Sequence, residues 1–165
     1  MKKTTVSVLF TALVAASPAA LANDGKACEL TSPEELQSTI GAKVALKPSV
    51  LPNGVEVCTG KAGLSTVTIR LYPKKDDAER DKEEAKMDAL EKAGATIEKR
   101  KFSKIECVEL RPGGKATRQA YTTTCKTAAT AKAPRYAVIE VTNPSQSLEM
   151  KKLAPLADNI AGRIF

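Results

Sequence analysis

Four cysteines, Cys28, Cys58, Cys107 and Cys125, are the residues of this chain best suited to specific chemistry. A thiol can carry a lipid, ligate a metal, attack a substrate or form a disulfide, and its surroundings decide which. The chain contains no histidine. A zinc site would therefore need all four cysteines, which are widely spaced and include no C-x-x-C pair. Nucleophilic catalysis by a Cys–His pair is excluded for the same reason.

The N-terminal residues bear on the remaining roles of the thiols. A start with two lysines precedes an apolar run from residue 6 to residue 16, and Ala20-Leu21-Ala22 has the small-x-small pattern of a cleavage site. We therefore predict a signal peptide over residues 1–22 and a periplasmic or secreted protein. Cys28 follows a triplet that contains a lysine, unlike the small and apolar residues of a lipobox, so we predict no lipid anchor.

In an oxidising compartment, four cysteines favour two disulfides, and three pairings are possible. We predict Cys28–Cys58 and Cys107–Cys125, because each pair flanks one plausible supersecondary unit. Each bond would close a loop of roughly 20 to 30 residues and stabilise the fold by roughly 3 kcal/mol in the chain-entropy model.

Chain length and charge indicate one domain after the signal. Removal of residues 1–22 from the 165-residue chain leaves 143 residues, enough for a modest core. The signal carries two lysines and no acid, so the net charge falls from +7 to +5. No later apolar run reaches the roughly 18 residues that a membrane span requires. We predict a single exported domain over residues 23–165.

Carboxylates are the remaining candidates for catalysis, since G-x-S-x-G and phosphate-loop motifs are absent from the sequence. Glu106 and Glu109 are close in sequence, but they alternate on a predicted strand and would point apart. The acids between residues 76 and 91 are on a predicted helix, where a solvated face is the simpler interpretation. We predict no catalytic residue, no metal and no cofactor, with a carboxylate-dependent envelope hydrolase as the alternative.

Positive charge is concentrated in residues 95–135, which carry ten Lys and Arg against three Glu. Such a cluster can attract an anionic partner, although surface charge also serves solubility and protects edge strands. Only Phe102 and Tyr121 are available there for base stacking, so we do not expect nucleic acid as the partner.

These features predict a non-catalytic periplasmic binding protein, for example an inhibitor or immunity-type module, acting as a monomer. Its partner would be an anionic envelope component or an acidic protein. A loop between two disulfide-linked strands would present cations from a rigid base, which favours fast and specific capture. The predicted contact residues are Arg111, Lys115, Arg118 and Lys126.

Three helices are indicated by local patterns. In SPEELQSTIG, Ser32 is a candidate N-cap, Pro33 the first helical residue, Glu35 the partner in a capping box and Gly41 the terminator. Residues 76–93 predict a second helix. The segment SLEMKKLAPLADNIAGRIF predicts a third, with a break at its proline. The predicted apolar stripes are Ala78, Ala85, Ala89, Leu90 and Ala93 for the second helix, and Leu153, Leu156, Ala157, Ile160 and Ile164 for the third.

Alternating apolar residues indicate the strands. Val44 and Leu46 predict a short strand that ends before two prolines, and VEVCTGKAGLSTVTIRLY predicts a hairpin with its turn over residues 59–63. ATIEKRKFSKIECVELRP, KATRQAYTTTC and Tyr136–Val141 are further strand-like segments. A Cys107–Cys125 bond implies that the loop between its strands is centred near Ala116 or that a bulge is present.

Strands that pair as hairpins, together with three one-faced helices, predict an α+β domain: an antiparallel sheet with three helices packed on it and two disulfides. The order CELTSPEELQSTIG, a cysteine-bearing hairpin, an alanine-rich helix ending in KAGA, and a last helix LAPLADNIAGRI resembles certain uncharacterised exported bacterial domains. The resemblance implies their PsbP-like α/β/α sandwich and no particular activity. The Cys107–Cys125 unit is not part of that pattern.

Overall fold

The computed structural model describes residues 26–73, 77–116, 119–129 and 134–164, so the predicted signal peptide lies outside the described residues. Within those residues, seven strands form one antiparallel sheet in the order β1-β2-β3-β7-β6-β5-β4. The strands are β1 (Ala45–Val50), β2 (Glu56–Ala62), β3 (Ser65–Tyr72), β4 (Thr96–Phe102), β5 (Ile105–Arg111), β6 (Tyr121–Thr127) and β7 (Tyr136–Asn143). The helices are α1 (Lys26–Glu29), α2 (Pro33–Ile40), α3 (Asp77–Lys92) and α4 (Met150–Ala161). The α+β class and antiparallel sheet are confirmed, and the sheet is larger than predicted.

Both predicted disulfides are present. Cys28–Cys58 ties α1 to β2, and Cys107–Cys125 joins directly opposite residues of β5 and β6. The register of that ladder places the β5–β6 loop around Ala116, as the cysteine pairing implied. One bond therefore fixes a helix to the sheet, and the other links two consecutive strands within it.

Helix α2 begins and ends at the predicted residues. The Ser32 hydroxyl accepts a hydrogen bond from the Glu35 backbone at 3.2 Å, and the Glu35 carboxylate accepts one from the Ser32 backbone at 3.0 Å. Gly41 ends the helix with φ +82°, a conformation that glycine adopts without strain. The capping box predicted from the sequence is thus complete.

The Glu35 carboxylate also joins α2 to the C-terminal end of α4. Both terminal nitrogens of Arg163 donate to it at 2.6 Å. This hydrogen bond from Arg163 is the main reason that the pKa of Glu35 falls from 4.5 to about 2; the Ser32 amide contributes in the same direction, and burial opposes both. A bidentate guanidinium–carboxylate pair of this kind is a specific tertiary contact.

We expect Glu35→Gln to lower the free energy of unfolding at pH 7 by about 1 kcal/mol. A lowered pKa in the folded state means that the ionised carboxylate stabilises the fold above pH 4.5 and that this contribution disappears as the pH falls toward about 2. Urea titrations between pH 7 and pH 2 should therefore show the wild type and the variant converging in stability at the acid end. A constant difference across that range would contradict the assignment. Glu34→Gln, an exposed neighbour, is the matched control.

Two predicted strand boundaries on this side of the sheet are wrong. Strand β1 continues through Pro48, and β2 continues through Gly60 to a tight turn at residues 63–64. Pro48 is tolerated because β1 is an edge strand, where one N–H group is not needed by the sheet. Gly60 is needed for space, since a Cβ there would lie 2.4 Å from Cγ1 of Val44.

The segment ATIEKRKFSKIECVELRP forms two strands rather than the one segment of strand expected. It folds back at Ser103 and Lys104, and Phe102 lies opposite Ile105. Ser103 has φ 53°, which is uncommon for a residue other than glycine. The hairpin was missed because its turn has no Gly, Asn or Asp to mark it. This additional edge strand, β4, enlarges the sheet.

One face of the sheet, which we call the core face, carries the main hydrophobic core. Helices α1, α2 and α4 pack against it. The predicted stripe of α4 is buried, and the helix runs without interruption through Pro155, so the expected break is wrong. The largest fully buried side chains of this core are Leu36, Ile69, Leu71, Ile105, Ile139, Leu153 and Ile160.

Helix α3 lies over the opposite face, which we call the α3 face. Its predicted stripe is wrong: the three alanines Ala78, Ala85 and Ala89 are exposed, and Leu90 and Ala93 are half-buried. A cleft of about 250 Å³ separates the helix from the sheet, with Met87 and Leu90 above Val108 and Leu110. Alanine side chains are too short to close that gap. As predicted, the charged side chains described on α3 are in contact with solvent.

Candidate functional site: two separated basic regions

The structure does not bring together the three predicted contact residues that it describes, Arg111, Lys115 and Lys126. Arg111 ends β5 and Lys115 follows in the β5–β6 loop, whereas Lys126 lies near the far end of β6. Lys126 is five residues beyond the start of β6 at Tyr121, which corresponds to roughly 17 Å along a strand. Arg118 lies outside the described residues. The described residues of the predicted site therefore form two regions rather than one.

Arg111 forms ion pairs with two carboxylates on the core face. Its Nε donates to Oε1 of Glu109 at 2.7 Å, and its Nη2 is 3.8 Å from Oε2 of Glu98. The hydrogen bond to Glu109 is the main cause of a raised pKa for Arg111. Glu109 is buried and also accepts a hydrogen bond from the Ser147 hydroxyl at 2.6 Å. Arg111 thus compensates the charge of the buried Glu109 carboxylate. If Arg111 instead bound a partner, that carboxylate would be left buried without a cation.

Glu98 and Glu109 form a pair of carboxylates that the sequence analysis missed. They lie opposite each other on β4 and β5, and the Arg100 guanidinium donates to Glu98 at 2.8 and 3.0 Å. Glu106 is exposed and lies opposite Lys126, so Glu106 and Glu109 point to different faces, as expected. The alternation of side chains along each strand predicts which face Glu98 and Glu109 occupy. Only the strand register shows that the two residues lie opposite each other. Arginines neutralise both members of the pair.

The β5–β6 loop is held against the end of α3 over its first residues. The Lys115 amide donates to the Ala93 carbonyl at 2.8 Å. A Cβ on Gly113 would lie 2.5 Å from the Gly94 oxygen, and one on Gly114 would lie 2.8 Å from the Ala93 oxygen. Glycines are therefore required for this close backbone contact. The Lys115 side chain remains exposed, but the described start of the loop does not protrude freely.

A second basic region surrounds the β4–β5 turn, and we call it the hairpin patch: Lys99, Lys101, Lys104 and Lys126. Lys99 and Lys101 project from β4 on the α3 face, Lys104 is in the turn, and Lys126 is two strands away on the same face. The first three are exposed, and none of the four forms an ion pair with a described residue. The patch is thus a group of four cations around one carboxylate, Glu106.

Lys126 is positioned by an aromatic pair. Its ammonium lies 4.8 Å from the centre of the Tyr136 ring, and Tyr136 stacks on Tyr72 with ring centres 4.6 Å apart. A cation above an aromatic face is attracted to the ring quadrupole. The tyrosines belong to a small apolar cluster on the α3 face, so the ammonium is held at the sheet surface beside the rest of the patch.

Other kinds of site find little support in the part of the chain that the structure describes. Over those residues, no group of three or more Cys, Asp or Glu could hold a metal ion, and no helix is long and apolar enough to cross a membrane. Comparison of the chain with protein-family models, curated proteins and solved structures finds no match. The site is therefore interpreted from its own geometry.

Proposed function

We propose that the protein is a non-catalytic, exported binding domain that captures an anionic partner through the hairpin patch. The supporting observation is the location of Lys99, Lys101 and Lys104 on one exposed hairpin without ion-pair partners among the described residues. Lysines that serve only solubility are usually interspersed with acids, and only Glu106 lies within this group. The partner would be an acidic protein or an anionic envelope component. The domain would act as an inhibitor or an immunity-type module.

The pairing of the strands makes the hairpin patch rigid, which favours binding. Strands β4, β5 and β6 are continuously paired, and the Cys107–Cys125 disulfide links β5 to β6 within this ladder. A surface held by paired strands loses little conformational entropy on binding, and clustered charge accelerates association with an anionic target. Of the contact residues predicted from sequence, Lys126 belongs to this patch, whereas Lys115 lies at the other end of the ladder.

Charge reversal tests the patch. We expect the triple variant Lys99→Glu, Lys101→Glu, Lys104→Glu of residues 23–165 to capture its partner at least about tenfold less and to lose the salt dependence of capture. The side chains are exposed, so the melting temperature should change little. Capture from periplasmic extract, identified by mass spectrometry at several salt concentrations, is the measurement.

The matched control reverses three exposed lysines at the other edge of the sheet: Lys43, Lys47 and Lys61. Both triple variants change the net charge by the same amount, so a long-range effect of total charge would affect them equally. If both retained the same partners with the same salt dependence, the patch would serve solubility alone and the proposed function would fail.

A further inference from the structure

We infer that the outer edge of β4 is a docking site for an extended acidic segment of a partner protein, which would add to the sheet as an eighth strand. The inference rests on the proposed function, because it specifies how an anionic partner is held. Strand addition combines backbone hydrogen bonds along an edge with side-chain contacts at alternate positions. Both kinds of contact are provided by β4.

Strand β4 is the last strand in the sheet, and no described strand pairs with its outer side. The Cα atoms of Cys107 and Cys125 are 4.1 Å apart, a distance typical of opposite residues that do not hydrogen-bond to each other. The backbone groups of Cys107 therefore point toward β4, where they meet Arg100. Because these directions alternate along a strand, the amides of Ile97, Lys99 and Lys101 point outward.

The opposite edge of the sheet is protected in a different way. Strand β1 contains Pro48, which has no N–H group and interrupts the row of donors that an added strand would need. Strand β4 has seven residues and no proline. Of the two edges of the described sheet, only the β4 edge can therefore offer an unbroken row of backbone donors and acceptors.

The side chains of β4 determine which kind of segment can dock at this edge. Lys99 and Lys101 share the α3 face, whereas Arg100 is on the core face and is paired with Glu98. A second copy of the hairpin at this edge would bring lysines beside lysines, which is unfavourable. An extended segment with acids at alternate positions would instead place carboxylates beside Lys99 and Lys101. Charge on the α3 face thus disfavours self-association at this edge and favours an acidic partner.

A synthetic nine-residue peptide of alternating glutamate and valine is the probe. Backbone NMR and amide hydrogen exchange on residues 23–165 should show binding, with increased protection at Lys99 and Lys101. A peptide of alternating glutamate and proline has the same charge but cannot form the ladder, so we expect it to bind at least about tenfold more weakly. Equal binding of the two peptides, or no binding of the valine peptide, would overturn strand addition.

Two variants separate the contribution of backbone hydrogen bonds to peptide binding from the contribution of the side-chain charge. Lys99→Ala removes the cation, and Lys99→Pro removes the cation together with an outward N–H group that β5 does not use. We expect Lys99→Pro to weaken binding of the valine peptide at least about tenfold more than Lys99→Ala. Equal effects would overturn the inference, and if Lys99→Pro failed to fold, the peptide comparison would still decide.

The outcome also distinguishes this inference from the proposed function. Loss of salt-dependent capture in the hairpin triple variant without peptide binding at β4 would keep the function and overturn the docking mode. Binding to vesicles of anionic phospholipid by the wild type and Lys99→Pro alike, with no peptide binding, would assign the patch to a lipid surface. Such a result would also overturn strand addition.

Discussion

Replacing both disulfides by alanine pairs is expected to lower the free energy of unfolding by about 4 to 6 kcal/mol, much of the stability of a typical domain. Each bond closes a loop in the unfolded chain, with sequence separations of 30 and 18 residues. The chain has three Phe, three Tyr and no Trp, so its core consists mainly of smaller apolar side chains. Few other interactions can compensate for the loss.

Thermal and urea unfolding of the two single-disulfide variants and the double variant are the measurements. Each single variant should lower the free energy of unfolding by roughly 3 kcal/mol, and the effects should add approximately because the bonds are far apart. All four cysteines are in disulfides, so the native protein should not react with iodoacetamide unless it is first reduced. An unchanged melting temperature in the double variant would refute this prediction.

We expect Leu153→Ala to lower the free energy of unfolding by about 2 to 5 kcal/mol, because the substitution leaves a cavity that rigid neighbours cannot fill. Leu153 is on the buried stripe of α4 and has no solvent exposure. Helix α4 packs on β5, β6 and β7, so the loss would be transmitted to the centre of the sheet. Urea denaturation at constant pH measures the change.

Leu90→Ala on α3 is the matched control, since it removes the same atoms from a helix on the other face. Leu90 is half-buried beside the cleft, so we expect a loss below about 1 kcal/mol. Similar losses at the two positions would show that α3 is packed as firmly as α4. The difference between the leucines thus tests the asymmetry between the two faces of the sheet.

Several elements follow from sequence alone because their causes are local. Ser32, Pro33, Glu35 and Gly41 lie within ten residues, and the interactions that begin and end α2 occur among them. The spacing of the apolar residues in α4 also predicts its buried face, although Pro155 does not break the helix. One proline removes a single hydrogen bond, and the tertiary packing of the buried stripe compensates for it.

Long-range contacts decided the parts that the sequence analysis missed. The alanines of α3 have the spacing of a packed helix face, but burial depends on how closely the sheet approaches. Likewise, Gly60 resembles a turn residue, whereas the Val44 side chain above it explains why glycine is needed in the middle of a strand. Neither distance is encoded within a local window of sequence.

In the candidate site, too, some features follow from the sequence and others only from the tertiary structure. The sequence alone determined that cations accumulate between residues 95 and 135, and it predicted the Cys107–Cys125 pairing that the structure confirms. Only the tertiary structure decided which cations are free. Arg111 pairs with Glu109, two residues earlier on the same strand, and strand register adds Glu98 at 3.8 Å, whereas no described carboxylate forms an ion pair with the hairpin lysines. The physical reason is that charge compensation depends on which side chains share a face of the sheet and on distances across strands, and the strand geometry and register set both.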